Sequence, residues 1–96
     1  MMTDIPKPTN IAIKWNEFPK KLPTEEGEYL VTIKVTDVYS YVTIRNWGEM
    51  YDFNGKKRTT WHFYDSEWGP VVQNGVMAWV NLPEPFKKEV KNEIHS

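Results

Sequence analysis

The chain has 96 residues, 40% of them hydrophobic and 26% charged, with a formal net charge of −1 and no cysteine. That length makes one domain with a small core. The near-neutral balance excludes the basic footprint of a general nucleic-acid binder and a strongly acidic, DNA-mimicking surface, and the missing thiols exclude disulfides, thiolate nucleophiles and cysteine-ligated zinc.

Residues 1–10, with Pro6 and Pro8 and few apolar side chains, read as an extended N-terminal arm. They carry no basic start followed by an apolar run, and no window approaches the roughly eighteen apolar residues of a membrane span, so a soluble, cytoplasmic chain is expected. A single globular domain is expected over residues 11–86. In it Ile11, Ile13 and Trp15 alternate with Ala12 and Lys14, the period-2 signature of a short strand. Pro19, Pro23 and Gly27 then punctuate a polar loop.

Glu28 to Val38 is the clearest strand, with Tyr29, Val31, Ile33 and Val35 on the core face. A turn at Asp37–Ser40 leads to a strand over Tyr41–Trp47, with Val42 and Ile44 on one side and Tyr41, Thr43 and Arg45 on the other. Glu49–Phe53 and Arg58–Tyr64 form a second hairpin about Asn54-Gly55, a pair that readily adopts the positive φ of a tight turn. There Trp61 and Phe63 share a face opposite His62 and Tyr64. After a loop over Asp65–Pro70 comes a last strand, Val76–Asn81, stopped by Pro83 and Pro85, which cannot donate to a ladder. Residues 87–96 read as a tail or short helix, since Pro85 suits an early helical position and Phe86, Val90 and Ile94 are spaced by four. The fold expected is a mainly β domain, or α+β if the C-terminal helix forms: a small antiparallel, strongly twisted sheet or partly open barrel of about five strands with that short C-terminal helix or tail.

Reactive groups are sparse. His95 is the penultimate residue, where positional precision is not expected. His62 with Asp65 and Glu67 forms a candidate metal corner, but the spacing matches no ligand motif and a half-exposed strand histidine is the reading preferred. The carboxylate pairs Glu25-Glu26, Glu26/Glu28 and Asp65/Glu67 fall in turns, where solvated acids are common, and a glycosidase would need them across a cleft. The glycines are isolated and stand at turns, not in a phosphate loop. Lys20-Lys21, Lys56-Lys57-Arg58 and Lys87-Lys88 lie near Phe18, Phe53, Trp61 and Phe86, a pattern that could stack single-stranded bases but also suits edge protection.

Five Trp, five Tyr and four Phe exceed what one thin core hides, which makes the rings the strongest signal. Trp15, Tyr29, Trp61, Phe63 and Trp79 are assigned to the core, each worth about 2–3 kcal/mol when buried. Trp47, Tyr51, Tyr64 and Trp68 are the expected anchors of a partner-binding surface, with Tyr39 and Tyr41 also left outside. The expectation is a non-enzymatic protein-binding module with no catalytic residue, cofactor or metal ligand, bound to another protein or to a second copy of itself. The alternatives are a single-stranded nucleic-acid-binding β domain and a small hydrolase or metal-binding protein.

Trp15, Leu22-Pro23, Gly27 and Tyr29-Leu30-Val31 at one end, a Trp/Tyr/Phe-rich hairpin between, and Trp79, Leu82-Pro83 and Pro85 at the other resemble the small bacterial, phage and prophage proteins of domain of unknown function 551. The resemblance spans residues 15–86. It implies a setting, the mobile elements of bacteria, and no mechanism; joined to the surplus of rings, it makes the expected binding module a phage- or prophage-encoded accessory or inhibitor protein acting on a host or viral protein. Ala78 stands where family members often have histidine, so nothing that histidine does carries over.

Overall fold

Alternation of β-branched and aromatic residues with polar ones builds a sheet throughout the computed structural model, which describes residues 12–88. Its strands are β1 (Asn16–Glu17), β2 (Gly27–Thr36), β3 (Tyr39–Tyr51), β4 (Lys57–Asp65), β5 (Gly69–Val72) and β6 (Val76–Asn81). They lie in the order β1-β6-β2-β3-β4-β5, all neighbours antiparallel. The sheet is all-β as expected, but open, without barrel closure, and it has six strands. The register is staggered: β3 pairs with β2 over Tyr39–Trp47 and with β4 over Asn46–Tyr51, so only Asn46 and Trp47 have strand partners on both sides.

Several expected elements are corrected. Residues 12–15 are outside any strand despite their alternation, and pairing begins at Asn16, opposite Trp79; Ile11 lies outside the described residues. The strands expected over Tyr41–Trp47 and Glu49–Phe53 are one, because Gly48 continues in extended backbone and lets the Glu26 side chain pack where a Cβ would sit, at 3.1 Å. The expected loop over Asp65–Pro70 contains the start of β5. Its Gly69-Pro70 reads as a turn, yet Pro70 is tolerated because β5 is the sheet edge. Residues 82–88 have no helix, and the rest of the expected C-terminal helix lies outside the described residues.

One face of the sheet holds the core: Tyr29, Val31 and Ile33 from β2, Trp47 from β3, Trp61 from β4, and Val76 and Trp79 from β6. A bulge between Lys34 and Thr36 interrupts the alternation, and Val35, expected inside, is exposed. Trp61 sits edge-on to Trp47 (ring centroids 5.0 Å), Phe18 (5.8 Å) and Tyr29 (5.9 Å), and Tyr29 is edge-on to Trp79 at 5.2 Å. Such pairs add roughly 0.5–1.5 kcal/mol each to the area they bury.

This face is covered by a strap of residues 18–26. Phe18 packs on Trp47 and Trp61, and Pro23 is buried. The strap's backbone is satisfied by the core itself: the Trp79 Nε1–H donates to the Lys21 carbonyl at 2.8 Å and the Tyr29 hydroxyl to the Glu25 carbonyl at 2.6 Å. Phe18 N–H bonds to the Met77 carbonyl (3.0 Å), and Glu26 accepts from Glu49 N–H at 3.2 Å. Trp61, by contrast, has no acceptor for its indole N–H among the described residues and stabilises through buried area and its ring contacts.

Tyr29→Phe should lower stability by about 1 kcal/mol, the net worth of one hydrogen bond. Trp61→Ala should cost about 3–5 kcal/mol, by transfer and cavity terms; urea midpoints for both variants check the order. Gly75→Ala should cost more than the roughly 1 kcal/mol of Gly55→Ala. Both residues have positive φ (84° and 75°), but only at Gly75 would a Cβ meet backbone, the Lys34 carbonyl oxygen, at 2.9 Å.

Candidate functional site

Two turns built by the same device face one another at the β5 end of the sheet. Asp65, the last residue of β4, accepts at Oδ1 from the N–H groups of Glu67 (2.7 Å) and Trp68 (3.0 Å), and Gly69 follows with φ 75°. Asp52, just past β3, accepts at Oδ1 from Asn54 and Lys56, both at 2.9 Å, with Gly55 at φ 75°. Short acids that bond the backbone two residues on fix such turns without a hydrophobic core beneath them. The first turn carries Trp68 and the second Phe53, and their rings stand nearly perpendicular, 85°, with centroids 6.3 Å apart.

Between these rings lies an open hollow of about 410 Å³ lined by Phe53, Phe63, Asp65, Trp68 and Val71. The register puts Phe63 opposite Val71 and Asp65 opposite Gly69, so these side chains rise from one face. Arg45 stacks its guanidinium 4.7 Å from the Phe63 ring centre and is held by Gln73 Oε1 at 2.7 Å. A second hollow of about 320 Å³ shares Phe53 and Val71 and is more polar, with Asp52, Asn54, Arg58 and Asn74 in its wall.

Of the four anchors expected from sequence, only Trp68 lines the apolar hollow. Trp47 is 8% exposed and belongs to the core, so it is withdrawn from the exposed set: it faces Trp61 across β3–β4 and is capped by Phe18 from the strap. Tyr51 is exposed at the end of β3, opposite Lys57. Tyr64 is exposed on the face opposite Phe63, with its ring against His62 at 5.5 Å. Phe53 and Phe63 are the partners that sequence reasoning missed: Phe63, expected in the core, is half-buried in the wall of the hollow instead. Phe53, 75% exposed beside Asn54-Gly55, is an aromatic at a hairpin tip, and that was the available signal.

His62 is not half-exposed but 3% exposed, with Nδ1 3.1 Å from the Thr60 carbonyl oxygen. Strand alternation turns it to the face opposite Asp65, so His62, Asp65 and Glu67 form no corner, and among the described residues no three His, Asp or Glu converge. Glu25 serves Tyr29 through its carbonyl and Glu26 serves Glu49 through its carboxylate. Lys20, Lys34 and Lys57 lie 3.3–3.4 Å from Glu17, Asp37 and Glu49 in exposed ion pairs, each worth about 0–1 kcal/mol.

Asp65→Ala should free the Trp68 turn and cost about 1 kcal/mol, whereas Asp65→Asn, which keeps the acceptor oxygen, should cost less. Near-ultraviolet circular dichroism and urea unfolding of the two variants make the comparison.

No family model, no curated protein and no solved structure matches the chain.

Proposed function

We propose that the chain is a non-enzymatic protein-binding module that seats a partner's side chain in the hollow between Phe53 and Trp68. The observation that supports this reading is the exposure of those rings, 75% and 67%, in an orientation fixed by hydrogen-bonded turns. Large rings cost free energy when left in water, and their interface role is to bury area with little side-chain entropy lost. Here the rings are already ordered on one another, so that entropic cost falls partly on folding instead of association. The resemblance to the proteins of domain of unknown function 551 adds a setting to the proposal, an accessory or inhibitor protein encoded by a phage or prophage and acting in the cytoplasm on a host or viral protein.

Phe53→Ala/Trp68→Ala should leave the urea midpoint of the full chain within about 0.5 kcal/mol of the parent, as for surface changes. The same variant should lose proteins that the immobilised parent retains from bacterial lysate. Identical capture by both, or collapse of the variant, would remove the hollow as the docking surface.

A further inference from the structure

We infer that the hollow takes a cationic side chain of the partner, a lysine-type ammonium or an arginine guanidinium, by an aromatic cage closed with a carboxylate. This rests on the docking role proposed above and gives it a chemistry. An aromatic ring carries negative potential over its face, so rings that converge at right angles can line a pocket for a cation. Phe53 and Trp68 stand at 85° with centroids 6.3 Å apart, and Phe63 supplies a third ring.

Asp65 decides the sign. It lies in the wall of an otherwise apolar hollow, and both turn N–H groups fall on its Oδ1, while Oδ2 has no hydrogen-bond partner among the described residues. A leucine or phenylalanine seated there would strip water from this carboxylate and return no partner, an uncompensated desolvation. A cation returns one. Three bases are near: Arg45 is held by Gln73 over the Phe63 ring and is not among the lining residues, Arg58 lines the second hollow, and Lys57 is 3.4 Å from Glu49, so Phe53, Trp68 and Asp65 are left to the ligand. The protein already makes the same bond internally, with Arg45 over Phe63 at 4.7 Å. A volume of about 410 Å³ admits the charged head of a long basic side chain with several of its methylenes.

The test is indole NMR of the ¹⁵N-labelled full chain, with the Trp68 signal assigned by its loss in Trp68→Phe. Tetramethylammonium chloride is the cationic probe, neopentyl alcohol its neutral counterpart of similar shape, and sodium chloride the ionic-strength control. The expected result is a saturable shift of the Trp68 signal with tetramethylammonium, at least about fivefold tighter than with the alcohol, given the usual size of a cation–π contact. Asp65→Asn should weaken the cation roughly threefold, the scale of one partly solvated charge, while its urea midpoint stays near the parent's. Equal affinity for the two probes, or an Asp65→Asn variant that binds the cation as well as the parent does, overturns the cationic assignment and leaves the docking role standing. Absence of any Trp68 response to tetramethylammonium overturns it as well. The docking role itself stands or falls on the lysate comparison: it falls if parent and Phe53→Ala/Trp68→Ala retain the same proteins or if the variant collapses.

Discussion

The indole N–H of Trp79 and the hydroxyl of Tyr29 hold the second layer of this small protein in place. A sheet must bury one face against something, and most β domains supply a second sheet or a helix. Here the cover is the irregular strap of residues 18–26, whose backbone groups would be costly to bury unpaired. The donors that pair with its carbonyls belong to the rings it covers. Each ring therefore acts twice, as buried area and as a peg, and the Trp47–Trp61–Tyr29–Trp79 row keeps its contacts only while the strap stays closed.

The opposite face has no such cover among the described residues. Leu30, Ile44 and Val80 are direct cross-strand neighbours there, and Ile44 and Val42 are about half exposed, within the range of an antiparallel sheet that meets water on one side. Where that face approaches β4 it becomes polar or closed, with Asn46 opposite His62 and Met50 opposite Arg58. Two of the exposed rings, Phe53 and Trp68, meet at the two turns beside β5.

What could be read from the sequence follows from the range of the forces involved. The bounds of β6, the inward set Tyr29, Val31 and Ile33, and the turn at Asn54-Gly55 all come from alternation and from residues that stop or bend a chain, which are local effects. Trp47 could not be assigned that way. Its burial depends on the strap, and a proline-punctuated loop gives no periodic sign that it will serve as a layer. For β5 the failure was the reverse: Gly69-Pro70 carries a true turn signal, but position at the sheet edge overrides it. At the hollow, Trp68 was legible as a surplus ring, whereas Phe53 and Phe63 come beside it only through the fold-back of two hairpins. His62 is buried on the face away from the core row, between Asn46 and Val72 on its two sides and under the Tyr64 ring, a tertiary effect that strand parity alone does not contain.

The stagger of β3 has a consequence for how the molecule comes apart. Along β3 backbone pairing is two-sided only at Asn46 and Trp47, so the half made of β4, β5 and the end of β3 is tied to the rest by those residues, by the rings stacked over them and by a few side-chain bonds, Glu26 to Glu49 and Arg45 to Gln73 and Phe63. Cooperative units divide where such ties are fewest. On that division the amide protons of β2 and β6, beneath the strap, are expected to exchange more slowly than those of the hollow-bearing half.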